Sequence, residues 1–433
     1  MRVAILTYGS RGDVEPFVAL ARGLLRSGHS ACLAAPGAFS GFIESYGVEC
    51  VPLPGDPDTL VANRVEEAGS NWARMIVVMS RFILPLAAEV LERVRRAANG
   101  ADVIIHSFLM TQVGHELALQ QGIPDVSGQL FPVFAATSEF PGVVFPDLPL
   151  GPAYRRLTHA IVNQSFHLGG RVLYGRVRRG RPWLTPLSSW PFGERQPHPT
   201  PILFAFSPSV IARPGDWPDS VQLTGYWFLD PPDDDGMDAG LQRFLEAGPP
   251  PVCIGFGSMI AAEAKRLAVV ATDALRMTGR RGVFVAGRAG LRADSGKDLV
   301  HVVDSAPHRW LFPRMSVIVH HGGAGTTGAA LRAGVPQVVV PFTADQHFWG
   351  RRVRSLGVGA APIPLGRVTA RRLADAIELG ISDPGIRTRA QLLGRQVGAE
   401  DGIGNAIRFI VRYTQEFWAS APSLERQGHQ PDG

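Results

Sequence analysis

Short apolar runs recur along this chain, each closed by a glycine or polar turn and followed by residues at helical spacing. Residues 2–7 (RVAILT), 30–35, 48–53, 102–106 (DVIIH), a run from Val126, 202–206 and 221–224 are β-branched or uniformly apolar. That composition suits strands covered on both faces, as in parallel sheets. Between them, residues 14–27, 39–46, 71–98, 111–121 and 159–174 have helical spacing. The pattern then starts again. Strands are predicted at 251–255, 282–286, 299–303, 316–320, 337–340 and 358–363. Helices are predicted at 241–247, 262–277, 326–333, 348–356, 369–379, 383–397 and 405–418. Strand and helix alternating in two series predict an α/β chain with two Rossmann-like, doubly wound domains facing each other across a cleft. Residues 229–240 (LDPPDDDGMDAG) lose all apolar period and predict the linker. The expected division is therefore 1–228, linker 229–240, 241–404, a last amphipathic helix 405–418, and a loose polar tail 419–433.

Composition narrows the classes. The chain has 433 residues, 45% apolar and 19% charged, which suits two globular domains with their own cores. The formal charge is +5, carried mostly by arginine, with no basic run interleaved with aromatics, so nucleic acid is not an expected partner. Cys32, Cys50 and Cys253 are far apart and lack metal-ligand spacing. With a first strand that begins at once, this points to a reducing cytoplasm and no signal peptide. The most apolar helix, 75–91, is interrupted by Arg81 and Pro85 and is too short to span a bilayer. The arginine-rich stretch 176–181 reads either as a solvated face or as a peripheral lipid contact. Nothing predicts more than a monomer or weak dimer.

The chemistry concentrates in His320–Gln346, HHGGAGTTGAALRAGVPQVVVPFTADQ. A buried strand delivers His321 to a glycine-rich turn (Gly322, Gly323, Gly325), and Thr326 and Thr327 open a helix there. Glycines admit a ligand to the backbone, and N–H groups at a helix start attract anions. Asp345 and Gln346 follow the next strand, at the carboxyl edge where ligands collect in open parallel sheets. Phosphate donors beside a carboxylate–amide pair suit a phosphorylated, hydroxyl-rich ligand such as a nucleotide sugar. Phe256-Gly257-Ser258-Met259 repeats the glycine–hydroxyl turn, so Ser258 is a second candidate donor to the same phosphates. Near the N-terminus, Ser10-Arg11-Gly12-Asp13 follows the first strand. Asp13 reads as a helix cap or as a general base at the cleft, and a cap carboxylate can serve both. His106, at a strand's carboxyl end, either packs in the core, orients Asp13 or touches an acceptor. Residues 129–152 are rich in Phe and Pro, with Phe131 and Phe134 candidates to line an apolar pocket. A loop that merely covers the core is the other reading.

GSRGDVEPF near the start, TGYWFLD before the linker, SAPHRWLFPRM at 305–315 and the stretch 321–346 together resemble family-1 inverting glycosyltransferases of GT-B fold. The likeness is to sterol glucosyltransferases and actinomycete antibiotic glycosyltransferases, and residues 50–220 match only loosely. It implies that Asp13 is the base and that 305–306 (Ser305, Ala306) receive the nucleobase by main-chain bonds. It also implies that the last helix crosses back to the first domain. Plant relatives carry Trp where Ser305 stands. The expected reaction moves a hexose, glucose in the first instance, from a UDP- or TDP-sugar to a hydroxyl of a lipophilic acceptor, with nitrogen as the alternative nucleophile. Ser10 and Arg11 complete the phosphate cradle from across the cleft, and Asp345 and Gln346 hold sugar hydroxyls. The nucleotide sugar is a co-substrate. No separate cofactor is expected, and no metal, since two carboxylates at ligand spacing are missing. A nucleotide-sugar epimerase or hydrolase, a non-catalytic helper of the same fold, and a dehydrogenase are the rival readings. The last lacks a dinucleotide glycine fingerprint with its acid.

Overall fold

The computed structural model describes residues 1–56, 72–178, 190–192, 199–230, 239–257, 261–286, 299–343 and 345–420. In the first half, β1 (Arg2–Leu6), β2 (Ser30–Pro36), β3 (Glu49–Leu53), β4 (Val103–His106), β5 (Asp125–Gln129), β6 (Ile202–Phe204) and β7 (Val221–Leu223) form one sheet. Its order is β3-β2-β1-β4-β5-β6-β7, parallel throughout. In the second half, β8 (Val252–Gly255), β9 (Gly282–Val285), β10 (Val300–Val303), β11 (Val317–His320) and β12 (Gln337–Val339) form another, ordered β10-β9-β8-β11-β12 and also parallel. Strand order reverses between β1 and β4, and again between β8 and β11. Such reversals open a crevice above the carboxyl ends, where ligands bind. The connections leaving β1, β8 and β11 lead to Asp13 in the first turn of the next helix, to Gly257 and to the glycine-rich turn.

The helices of the described residues are α1 (Arg11–Arg26), α2 (Ser40–Glu44), α3 (Trp72–Ala98), α4 (Thr111–Gln121), α5 (Gly151–Arg178), α6 (Ala239–Glu246), α7 (Ala261–Thr278), α8 (His308–Leu311), α9 (Ala324–Ala333), α10 (Gln346–Ser355), α11 (Ala370–Ser382), α12 (Pro384–Ala399) and α13 (Gly402–Ser420). Most agree with the sequence pattern to within a few residues. Helix α5 is the largest departure, beginning eight residues before the expected start. Residues 151–158 hold Gly151 and Pro152 and lack an apolar period, yet Gly151 in the left-handed region turns the chain and Pro152 fits a first helical turn. The strand expected at 358–363 runs beside β12 but makes only one bridge, Gln337 to Gly359. Pro362 and Pro364 have no N–H to extend a ladder. A Cβ on Gly359 would lie 2.1 Å from the Gln337 carbonyl oxygen, so only glycine fits there.

Three of the apolar clusters among the described residues bear on how the domains are fastened. One lies between the first sheet and α1, including Val3, Ile5, Phe17 and Leu24, and takes in Ala406, Ile407 and Ile410 of α13. Helix α13 therefore returns to the first domain, and it starts at Gly402 rather than at Asn405. Asn405 Nδ2 donates to the Thr224 carbonyl at 2.9 Å. A second core fills the other sheet around Val252, Ile254, Phe284 and Val319. The third spans both halves: Phe204, Phe206 and Trp217 meet Leu331, Val339, Phe348 and Trp349. Of the expected linker, residues 231–238 lie outside the described residues, and Ala239 is already helical. Of the expected tail, Ala419 and Ser420 belong to α13, and 421–433 lie outside the described residues.

Candidate active site

Helix α1 begins where β1 ends, and its first turn is closed by side chains. Ser10 is the N-cap, in extended conformation. Its N–H and its hydroxyl both donate to Asp13 Oδ2 at 2.8 Å, and Thr7 Oγ1 donates to the Asp13 carbonyl at 3.0 Å. Asp13 is thus the third residue of the helix, in a capping box, and not the cap itself. Gly9 has φ +147°, and a Cβ there would lie 2.4 Å from Asp13 Oδ2. The glycine lets this carboxylate fold back over the turn. Arg11, exposed, pairs with Glu15 at 3.0 Å and lies over the Phe42 ring at 4.5 Å.

The facing wall comes from the second domain. His320, fully buried, fixes the glycine-rich turn: Gly322 N–H donates to Nδ1 at 3.1 Å, and Nε2 meets Gln337 Oε1 at 2.9 Å. Burial, and then neighbouring His321, push its pKa down to about 3, so the ring is neutral, with Nε2 as donor. His321 is gripped by glycines. A Cβ on Gly323 would meet its Nε2 at 2.6 Å, and one on Gly257 would meet its Cε1 at 3.0 Å. Burial lowers its pKa to about 4, and its Nδ1 is buried without a hydrogen-bond partner among the described residues. Helix α9 starts at Ala324, two residues before the expected threonine start, because Gly323 takes the extended N-cap conformation. The N–H groups of Ala324, Gly325 and Thr326 are those a helix leaves without internal acceptors. A Cβ on Gly325 would meet nothing within 4 Å, which marks the turn's open side.

Several expected residues need correction. Thr327 is buried, its N–H donates to the Gly323 carbonyl at 2.9 Å, and its hydroxyl faces the interior, so it is no donor to the cleft. Gln346 turns its Oε1 onto the backbone, accepting from Phe342 N–H at 2.8 Å and Thr343 N–H at 3.2 Å. That oxygen shapes the loop. His106 is fully buried, with Nε2 2.9 Å from Asp125 Oδ2, and the same oxygen meets His115 Nδ1 at 3.0 Å and Thr200 Oγ1 at 3.0 Å. The two imidazoles hold Asp125 well below the usual carboxylate range despite its burial. His106 therefore belongs to a core polar cluster and not to the acceptor surface. Ser258 lies outside the described residues.

Asp345 stands at the start of α10 without capping it; Trp349 Nε1–H donates to its Oδ2 at 3.0 Å. Burial, and then the charge of Asp13 across the cleft, raise its pKa to about 7. Ser305 is exposed and Ala306 half-buried, leaving their main chain reachable. His308, which the sequence reading passed over, stacks on Phe312 with centroids 4.2 Å apart. Burial, then Arg11 and His321, lower its pKa to about 4, so Arg11 reaches the second domain electrostatically. Phe134 is buried in an aromatic group with Phe108, Phe166, Trp190 and Phe192, and Phe131 packs on Phe108 at 5.1 Å. Its backbone is left-handed (φ 68°), and Asn163 Nδ2 donates to its carbonyl at 3.2 Å. Among the described residues, no group of three or more His, Cys, Asp or Glu side chains is placed to hold a metal ion.

Known proteins share both halves of this arrangement. Residues 3–99 match the profile of the glycosyltransferase family 28 N-terminal domain. Residues 288–401 match that of the erythromycin biosynthesis protein CIII-like C-terminal domain. The O-mycaminosyltylonolide 6-deoxyallosyltransferase of Streptomyces fradiae is 38% identical over 96% of this chain and 98% of its own. This chain belongs to the family-1 glycosyltransferases of GT-B fold. A sterol 3-beta-glucosyltransferase of Emericella nidulans is 33% identical over 95% of this glycosyltransferase, which spans 30% of that longer protein. The solved glycosyltransferase VinC, in complex with DTDP, covers 96% of this chain and 100% of its own with a TM-score of 0.66. At 22% identity, that likeness carries the fold alone. In this glycosyltransferase the two crevices face one another, with Asp13 on one side and His308, His321 and Asp345 on the other.

Proposed function

We propose that this glycosyltransferase moves a hexosyl group from a nucleoside diphosphate sugar to a hydroxyl of a lipophilic acceptor, with inversion and with Asp13 as general base. The observation that carries the reading is the opposition of Asp13, fixed by Ser10 after β1, to the glycine-rich turn that opens α9 and to buried Asp345, whose pKa burial and then the Asp13 charge push up. A cleft that brings acids from two domains together suits a reaction joining substrates held by different domains.

The acceptor oxygen attacks the anomeric carbon while its proton passes to Asp13, and the bond to the diphosphate breaks with the electron pair leaving on phosphate. An alcohol is a far weaker acid than a carboxylic acid (about 4 for Asp), so Asp13 takes the proton as the new bond forms and not beforehand. The two Ser10 hydrogen bonds fix where that carboxylate sits. Charge growing on the leaving phosphate meets the first-turn N–H groups of α9 and the His321 imidazole. Asp345 receives sugar hydroxyls, and Ser305 and Ala306 offer main-chain groups to the base. Arg11 approaches the phosphates from the first domain; Ser10, expected beside it in the cradle, has both its donors on Asp13 and positions the base instead. The aromatic group around Phe134 supports a rigid, apolar acceptor such as a sterol or a polyketide.

Glucose remains the first donor to test. The 38% identical relative, a 6-deoxyallosyltransferase by name, makes a 6-deoxyhexose the second, offered on TDP because VinC was solved with DTDP. The deciding assay offers UDP-glucose, TDP-glucose and a TDP-6-deoxyhexose with sterol and polyketide acceptors in EDTA, comparing wild type with Asp13→Ala. Turnover by wild type and a loss of at least about a hundredfold in the variant are expected. Equal turnover would demote Asp13 to a capping residue, and turnover abolished by EDTA would overturn the metal-free scheme.

A further inference from the structure

We propose that the outward face of α5 docks this glycosyltransferase onto anionic lipid surfaces. Single exposed apolar side chains are ordinary on any protein, whereas a contiguous set marks a contact surface. Eight of the fifteen large apolar side chains exposed among the described residues fall between Val144 and Val172. Four of them, Leu157 (58%), Ile161 (37%), Leu168 (65%) and Val172 (52%), share one side of α5. At about 100° per residue they fall within a sector of about 60°, and from first to last they extend about 22 Å along the helix. Val144, Leu148 and Leu150, just before the helix, are exposed as well. The opposite side bears on the protein: Asn163 bonds the Phe134 carbonyl, Phe166, though part exposed, leans on the aromatic group, and Tyr174 and Val177 pack with Ala87 and Leu91 of α3. The stripe is therefore an outer surface.

Charge selects its occupant. Helix α5 has 28 residues, several arginines and no Asp or Glu. Arg155 and Arg156, at its start, pair with Asp147 and Asp216 at 3.5 and 3.3 Å. Farther along, Arg171 and Arg176 are exposed beside the apolar stripe. With Asp147 and Asp216 neutralised by Arg155 and Arg156, the helix presents apolar side chains between arginines of one charge sign, which repels a second copy of itself. It fits an interface with negative headgroups above and hydrocarbon below, where arginine stems lie along the apolar layer with their charges raised to the headgroups. The inner side of the same helix bears on the aromatic group proposed to receive the acceptor. Resting here on the lipophilic-acceptor reading, docking through α5 would bring that group close to the layer in which such acceptors dissolve.

The test is sedimentation of the whole protein with vesicles, without donor or acceptor, so its outcome is independent of the Asp13 assay. Binding to phosphatidylcholine vesicles containing phosphatidylglycerol is expected, with little on phosphatidylcholine alone and a loss as salt shortens the Debye length. The variant Leu157→Gln/Leu168→Gln/Val172→Gln should partition at least about tenfold less. Arg171→Gln and Arg176→Gln should each cost about fivefold. Melting temperature and turnover of a detergent-dispersed acceptor should stay at wild-type values in all of them. Wild type failing to bind anionic vesicles, or the triple variant binding equally, would overturn the proposal. So would a wild-type dimer that the triple variant dissolves, because the face would then be a contact between copies.

Discussion

Asp345 shows how a single carboxylate records the cleft. In an unfolded chain it ionises near 3.8; in the fold, burial and Asp13 hold it at about 7. Between those values the folded chain keeps a proton that the unfolded chain has released, so stability falls as pH rises through this window and stays reduced above it. Asparagine keeps an oxygen to accept the Trp349 N–H while removing the charge. Asp345→Asn should therefore match wild type in a melt at pH below 4 and exceed it at pH 8. With solvent screening at a half-buried group allowed for, the gain is about 1–2 kcal/mol, roughly one or two degrees in Tm for a chain of this length. Its kcat/KM should nonetheless fall by at least about tenfold if the carboxylate holds sugar hydroxyls. A variant no more stable at pH 8 than wild type would show that Asp345 carries no buried charge. At this scale the sequence was legible where chemistry is local. Asp13, His321 and Asp345 stand out by residue type and neighbours, whereas His308 matters through Arg11, nearly three hundred positions away. His106 misled because a strand's carboxyl end predicts only proximity to the crevice. Which way its ring turned was decided by Asp125 and His115, residues whose register with it no motif encodes.

The glycine-rich turn and α9 act as one element, and their glycines have unequal jobs. Gly323 is packed against His321, while Gly325 opens onto free space. Gly325→Ala should leave the melting temperature unchanged or slightly raised, since alanine is favoured over glycine by about 0.5–1 kcal/mol in a helix. A methyl on the open side should weaken UDP or TDP binding by at least about tenfold, read by calorimetry. Gly323→Ala must displace the imidazole and should lower both stability and affinity. If Gly325→Ala bound nucleotide like wild type, the open side of the turn would not be where the phosphates sit. The parallel strands were predictable because burial on both faces leaves unbroken apolar runs, and the reversal of strand order then put the right loops at the crevices. Helix starts were less so. Glycine can be an N-cap as well as a breaker, which hid the first two residues of α9, and the polar opening of α5 concealed two turns of helix.

For the whole molecule, the question is what sets the distance between Asp13 and the donor wall. Asp230, at the start of the linker, meets Arg309 of α8 and Arg332 of α9 at 2.9 Å through its two carboxylate oxygens. Its main-chain carbonyl accepts from Arg22 of α1 at 3.0 Å. Arg22 and Arg332 stand near the far ends of helices that open at Asp13 and at the glycine-rich turn, and Arg309 adjoins His308. One residue therefore ties α1, α8 and α9 together, the last two through its carboxylate, and Arg332 is further held over Phe228 at 4.6 Å. Each pair is partly exposed, and an exposed ion pair alone contributes little to stability. Its leverage is on geometry, where a displacement of about 1 Å between reacting groups can cost about a hundredfold in rate. Asp230→Ala should thus lower transfer kcat by about tenfold or more while changing nucleotide affinity by less than about twofold. Water entering a looser cleft should raise donor hydrolysis relative to transfer. A wider gap also weakens the hold of Asp13 on Asp345, so the limb of the pH–rate profile near 7 should move to lower pH. Asp230→Glu, which keeps the charge, should recover part of the rate. Loss of stability with an unshifted pH profile and an unchanged ratio of hydrolysis to transfer would make Asp230 a simple strut, leaving the shared apolar core around Phe206 and Trp349 to set the cleft unaided.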